Sequence, residues 1–351
     1  MINRETLKDS IKSCIIAGAC GDAFGMPFEG LKKEQIKEYY GTIKAKYYDS
    51  EYSRHTKGLR KGEYTDDTQL TIATIKAILG FDYEEDVEKK LGDLAFRFCT
   101  DILTEKIGQN FMQLYKNKEL IGAGRATKLA LKEILKGKSA LQSGLKDAFG
   151  CGAAIRIAPI AVWPLEMLND QGRTALTLLC QVVRITHDNG VGLNSANLVY
   201  GMIINLIRMN KKSSELDVNK LLEKAIKMAD PFFDDSSYGV SQKIIENVKY
   251  FDEPIDSLAT RIGTSGLANE SVVFALFAFL KEPFDFDKLM LSCVRNGGDT
   301  DSIASIAGNF YGALNGFSAI QKKYIINLQD SQKLQNLVDE FAEVMVSEHE
   351  L

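Results

Sequence analysis

Histidine is scarce in this chain: His55, His187 and His349 are its three, no two of them near one another, so a histidine-built zinc site is not expected. The six cysteines, Cys14, Cys20, Cys99, Cys151, Cys180 and Cys293, are scattered without a Cys-x-x-Cys pair, which suits free thiols in a reducing cytoplasm rather than a disulfide framework. Six prolines interrupt 351 residues, and no Pro/Ser-rich linker or low-complexity tract divides them. No Lys/Arg block is present and the formal charge is -4, so strong binding to unmodified nucleic acid is not expected. Walker loops and the Gly-x-Ser-x-Gly elbow are missing, which removes the signatures of two large enzyme classes. The longest apolar run, Ser271 to Leu280, is too short to span a bilayer, and the polar stretch Met1 to Ser10 does not read as a signal peptide. A cytoplasmic, monomeric protein with no membrane partner is the expectation.

What is present is helical patterning. Leu7-Ile11-Ile15-Ala19, Leu70-Ala73-Ala77, Leu91-Leu94-Phe98 and Leu198-Met202-Leu206 repeat at the three- and four-residue spacing of one helix face. No run alternates as a strand would, and no fixed-period repeat suggests a solenoid. The spacing predicts an all-α chain forming one domain over residues 1–351, closed by a helix over about 320–347. Residues 21–66 read as the longest irregular segment, with one short helix near 33–39, and a loop of that length commonly forms a lid or site wall.

Two acidic clusters stand out, Thr65-Asp66-Asp67-Thr68 and Asp299-Thr300-Asp301-Ser302, each opening a helical stretch. Carboxylates and hydroxyls are the ligands that hard divalent cations prefer, and a helix N-terminus favours the ionised aspartate. Aspartates at helix starts also serve as caps, so either cluster alone is open to both readings. Each has one Asp more than a cap needs. The second helix carries Ala304, Gly308, Gly312 and Gly316 four residues apart, a stripe that admits a close neighbour, for which the helix after Thr65 is the candidate.

Taken in order, Gly18-Ala19-Cys20-Gly21-Asp22-Ala23-Phe24-Gly25-Met26-Pro27-Phe28-Glu29, Tyr64-Thr65-Asp66-Asp67-Thr68, Gly150-Cys151-Gly152-Ala153-Ala154-Ile155-Arg156-Ile157-Ala158-Pro159, Thr186-His187 and Asn296-Gly297-Gly298-Asp299-Thr300-Asp301-Ser302 resemble the motifs of the ADP-ribosylglycohydrolase family, over about residues 11–316. The resemblance implies an all-α orthogonal helical domain, a centre of two Mg²⁺ (or Mn²⁺), and hydrolysis of the bond joining ADP-ribose to an acceptor. Carried over by position, it implies Thr65, Asp66, Asp67, Asp299, Asp301 and Ser302 as metal ligands. Glu29, Asp66, Asp67 and Asp301 become the catalytic set, Glu29 matching an acid that some members carry on a mobile loop. Gly122, Gly124, Phe149, Gly150, Gly152 and His187 become walls of the ADP-ribose pocket.

The sequence departs from that pattern at Cys151, where many relatives carry Asn, and at Ser302, where Thr is common. A protein, nucleic-acid or small-molecule acceptor is left open. So are two other functions: a crystallin-like protein that binds ADP-ribose without turnover, and a dinuclear Mg²⁺ phosphohydrolase of free nucleotides.

Overall fold

The computed structural model describes residues 3–81, 95–162, 173–209, 216–229 and 239–347, and within them the helical spacing becomes a series of helices joined by turns and loops. Its helices are α1 (Arg4–Gly25), α2 (Lys33–Tyr40), α3 (Asp66–Leu79), α4 (Ala95–Lys116), α5 (Arg125–Leu135), α6 (Ala158–Ala161), α7 (Arg173–Arg184), α8 (Gly190–Arg208), α9 (Val218–Ala229), α10 (Val240–Val248), α11 (Ile255–Ile262), α12 (Ala268–Lys281), α13 (Phe286–Val294), α14 (Thr300–Asn315), α15 (Lys322–Ile326) and α16 (Ser331–Ser347). Among the described residues there is no strand, only isolated bridges at Lys32/Gly297, Leu145/His187 and Gly150/Leu267. The Leu91-Leu94 part of the expected periodicity lies outside the described residues.

Local chemistry sets several helix starts. Asn3 caps α1 by accepting from the Thr6 amide at 2.8 Å, and Asn189 caps α8 by accepting from the Gly192 amide at 2.9 Å. The apolar run read from the sequence is α12, in which every side chain from Val272 to Phe279 is fully buried, as expected of a helix apolar on all faces. By length and composition α8 could also cross a membrane, but 83% of its apolar window is buried inside the protein, where it packs as a core helix.

The framework of the site is the antiparallel pair α1 and α14. A Cβ on Gly21 would lie 2.0 Å from the Ala304 carbonyl oxygen, and one on Gly308 would lie 2.3 Å from the Ala17 carbonyl oxygen. The backbones therefore touch, with small residues on both helices. The partner of the glycine stripe is thus α1, not the helix after Thr65. For the same reason the irregular segment is shorter than the expected 21–66. Gly21 and Gly25 serve close approach instead of breaking the helix, and α1 runs on to Gly25 before a 3-10 turn at Met26–Phe28. The short helix appears at Lys33–Tyr40.

The expected helix over 320–347 is two helices. Between them Asp330 adopts φ 49°, and the Gln329 amide donates to the Gly62 carbonyl at 2.8 Å, fastening the end of the 41–64 segment to this turn. Asp is among the few non-glycine residues that tolerate that conformation. α16 buries Val338 and Phe341 and lies along α1, with Lys8–Glu343 and Lys12–Asp339 pairs at 2.6 and 2.7 Å.

Candidate active site

The C-terminal half of α1 brings the two acidic clusters together. Thr300 donates its hydroxyl to the Gly25 carbonyl at 2.8 Å, which places the start of α14 at the end of α1. One turn back, the buried Asp22 carboxylate accepts from the amides and hydroxyls of both Thr65 and Thr68, at 2.6 to 3.1 Å. Burial raises Asp22 to about 6, with the threonine hydrogen bonds acting against it. Asp22 thereby satisfies the orphan amides that open α3, the work a capping side chain would do. Thr65, the residue at the cap position, makes no side-chain cap, and neither does Asp299 at the start of α14. Capping does not account for the acidic clusters. Neither cluster spends its carboxylates, Asp66 and Asp67 or Asp299 and Asp301, on capping its own helix.

All four line one cavity of about 750 Å³, together with Glu29 and Ser302. Ligand oxygens of Glu29, Asp299 and Asp301 lie within 4.8 Å of one another. Glu29 Oε2, Asp67 Oδ2 and Asp301 Oδ1 are buried without a hydrogen-bond partner, which is costly unless something positive occupies the space they face. Mutual repulsion shows in their protonation. Burial, then Asp299 and Asp66, pushes Glu29 up to about 8. Burial, then Asp22 and Asp299, pushes Asp66 up to about 8, and burial, then neighbouring carboxylates, pushes Asp67 and Asp301 well above the ordinary carboxylate range. An all-oxygen, carboxylate-rich cluster with unpartnered lone pairs suits a hard divalent cation. Two helix N-termini converge here as well, favouring the anionic forms that such a cation needs.

The Glu29 segment is anchored. Gly30 donates its amide to the Gly298 carbonyl at 2.8 Å, and Gly298 donates back to Leu31 at 2.9 Å. Gly297 and Gly298 have φ values of 72° and 91°, and a Cβ on Gly298 would meet the Thr264 carbonyl at 2.0 Å, so this turn requires glycine. On the other side, Phe28 packs edge-on to Tyr40 and Tyr48 at 4.9 and 5.6 Å, while Tyr40 donates to the Pro27 carbonyl at 3.2 Å.

The remaining wall comes from the N-terminus of α5 and from a folded strip, residues 145–152. Gly122, Gly124, Arg125 and Lys128 line the cavity around the first turn of α5, whose amides have no side-chain cap. The strip is held on one edge by Leu145 and Asp188 exchanging bonds with neighbours at 2.9 to 3.1 Å, and on the other by Cys151 donating to Gly266 at 3.1 Å and Ala268 donating to Phe149 at 2.9 Å. Gly152 lies against His187, where a Cβ would fall 3.2 Å from the ring.

Arg156, fully buried, donates to the Thr186 hydroxyl at 2.6 Å, and that hydroxyl sits 2.7 Å from His187 Nδ1. Arg156 takes one lone pair of that hydroxyl, and either the second lone pair or the hydroxyl proton makes the bond to Nδ1. Burial and the Arg156 charge lower His187 to about 3, so the ring is neutral. Arg156 sits in a turn just before α6. It bonds carbonyls and Thr186 and does not line the cavity.

The model of the ADP-ribosylglycohydrolase family matches residues 3–350. The chain belongs to the ADP-ribosylglycohydrolase family. Similar proteins include an uncharacterized protein of Archaeoglobus fulgidus, 26% identical over 96% of this chain and 97% of that one. The ADP-ribosylhydrolase ARH3 of Mus musculus is 24% identical over 89% and 85%, and that of Homo sapiens is 23% identical over 89% and 87%. A solved structure titled as an ADP-ribosylglycohydrolase-related protein complex shares the fold, with a TM-score of 0.70 at 21% identity, covering 97% of this chain and 99% of that one.

Of the residues the family resemblance singled out, Glu29, Asp66, Asp67, Gly122, Gly124, Phe149, Gly150, Gly152, His187, Asp299, Asp301 and Ser302 all line this one cavity. Thr65 does not. It lies behind Asp66 with its hydroxyl given to Asp22. Sequence reasoning named no role for Asp22, although its motif was quoted, because a carboxylate that accepts hydrogen bonds from a distant helix start leaves no local pattern. It also passed over Arg54, His55 and Gly266, which line the cavity from loops, and Lys128, which lines it from the first turn of α5.

Proposed function

We propose that this chain is a divalent-cation-dependent hydrolase that cleaves the glycosidic bond between ADP-ribose and an acceptor, with two Mg²⁺, or Mn²⁺ in their place, held by Asp66, Asp67, Asp299, Asp301 and Ser302. The observation that carries the reading is the meeting, in one cavity, of buried carboxylate oxygens without partners from two helix starts at opposite ends of the chain. Bound there, the cations would orient the ribose hydroxyls and polarise a water.

The protein's own groups supply the rest. Cleavage at the ribosyl carbon builds positive charge on the sugar and negative charge on the departing group. Glu29, its carboxyl pushed up to about 8 by burial and then by Asp299, stands beside Asp299 and Asp301 and is the group placed to exchange a proton with the acceptor side of the bond. The first turn of α5 presents uncapped amides, and Arg54 and Lys128 add positive charge, an arrangement suited to a diphosphate. His187 offers a neutral imidazole, and Phe149 offers a ring to a base or ribose.

The test is a panel of substrates carrying ADP-ribose on arginine, on serine and on DNA or RNA, assayed for free ADP-ribose with Mg²⁺ and with chelator. Release should occur on at least one and stop with chelator. Asp301→Asn should lower it by more than about 100-fold, the upper range for disturbing a metal ligand's outer partners. Inorganic phosphate as the product would point to a phosphohydrolase instead, and binding without release to a reader.

A further inference from the structure

One donor in the cavity differs in kind from the oxygens around it. Cys151 is 5% exposed, and its Sγ lies 3.0 Å from Asp299 Oδ2. Its backbone is fixed by the Cys151 amide donating to Gly266 and the Cys151 carbonyl accepting from Ala154 at 2.7 Å, so the thiol is carried on a rigid turn. In the same cavity Asp67 Oδ2 and Asp301 Oδ1, each on a residue at least nine-tenths buried, have no partner. The thiol proton now bridges sulfur and oxygen at hydrogen-bond distance. Sulfur at about 2.3 Å and oxygen at about 2.1 Å from one tetrahedral ion stand about 3.6 Å apart, so an ion replacing that proton needs the two donors to separate by about 0.6 Å.

We propose that Cys151 is a sulfur ligand of the cation site, and that the site therefore accepts thiophilic divalent ions, Zn²⁺ and Cd²⁺ in particular, on the edge shared with Asp299. The inference rests on the cation-binding reading of the acidic cluster but not on hydrolysis. In the step a metal–sulfur bond forms, the S–H bond breaks and the proton passes to solvent. Neither metal nor sulfur changes oxidation state, so no oxidant or reductant is needed. Thiolate favours softer ions over Mg²⁺, whereas the carboxylates serve both. The cysteine thus makes this site's metal choice differ from that of an all-oxygen shell.

Chelator-treated full-length protein titrated with Cd²⁺ gives the test. Wild type should develop sulfur-to-cadmium charge-transfer absorption at saturation, and Cys151→Ser should lack it and bind Cd²⁺ about 10-fold or more weakly. Mn²⁺ binding measured on the same variant shows whether the site is intact. If Cys151→Ser does not fold, Cys151→Asn takes its place, and cadmium NMR of that variant against wild type shows whether a sulfur-ligated signal belongs to Cys151, because sulfur and all-oxygen ligation give well-separated shifts. An all-oxygen shift, or equal absorption in Cys151→Ser from the other five cysteines, overturns the proposal. ADP-ribose release is scored separately. A sulfur signature without release leaves this inference standing and removes the proposed function, while release without the signature does the reverse.

Discussion

Asp22 shows how much of the site depends on a residue that does not face the ligand. Its carboxylate accepts from two amides and two hydroxyls around the first turn of α3 and so fixes where Asp66 and Asp67 point. An amide can accept at one end only, and its NH₂ would face donors at the other. Asp22→Asn is expected to cost about 1.5–3 kcal/mol in urea denaturation, the range for a charged hydrogen-bonding group, and to weaken Mn²⁺ binding in parallel. Full retention of both would show that the α3 start is held by something else. His187 illustrates a different kind of legibility. The Thr-His pair could be picked out of the sequence, but the neutral state of its ring follows from burial first and then from Arg156 lying behind it.

Among the elements, the pair α1 and α14 matters most, since backbone contact along it sets the distance between the clusters. Replacing Gly21 with alanine would add a Cβ 2.0 Å from a backbone carbonyl, an atom that cannot swing aside. Gly21→Ala should cost about 1–3 kcal/mol as overpacking, less whatever alanine's helix propensity returns, and should impair catalysis beyond that loss by moving Asp22. A variant with wild-type stability measured by thermal unfolding would contradict the close approach. Gly124 makes the contrast, because a Cβ there meets nothing within 4 Å. The glycine stripe on α14 was visible in the sequence, but its partner was not. Spacing shows that a helix can be approached closely, and only packing shows which helix does so.

The whole molecule gathers carboxylates at one point and bears the electrostatic consequence. Glu29 and Asp66, raised to about 8 from ordinary values of 4.5 and 3.8, keep protons that the unfolded chain has released above about pH 4. Without a cation, folding stability therefore falls as pH rises through that window. Below about 6.5 the neutral His187 acts in the opposite sense, so the carboxylate effect is isolated between about pH 6.5 and 8. In chelator the urea midpoint should drop across that interval, and Mg²⁺ should raise it more at pH 8 than at pH 6.5, because the cation takes over from the missing protons. Equal stabilisation at both pH values would argue against the cation site. The sequence by itself determined the helical class and the acidic motifs, since helix periodicity and short motifs are local properties of the chain. The family, too, was legible in the order of those motifs. Only the tertiary structure decided that α1 is the common support, that Asp22 does the capping while Asp67 Oδ2 and Asp301 Oδ1 are left without partners, and that a thiol stands 3.0 Å from Asp299. Those relations join residues far apart in the chain, and packing rather than spacing sets their distances.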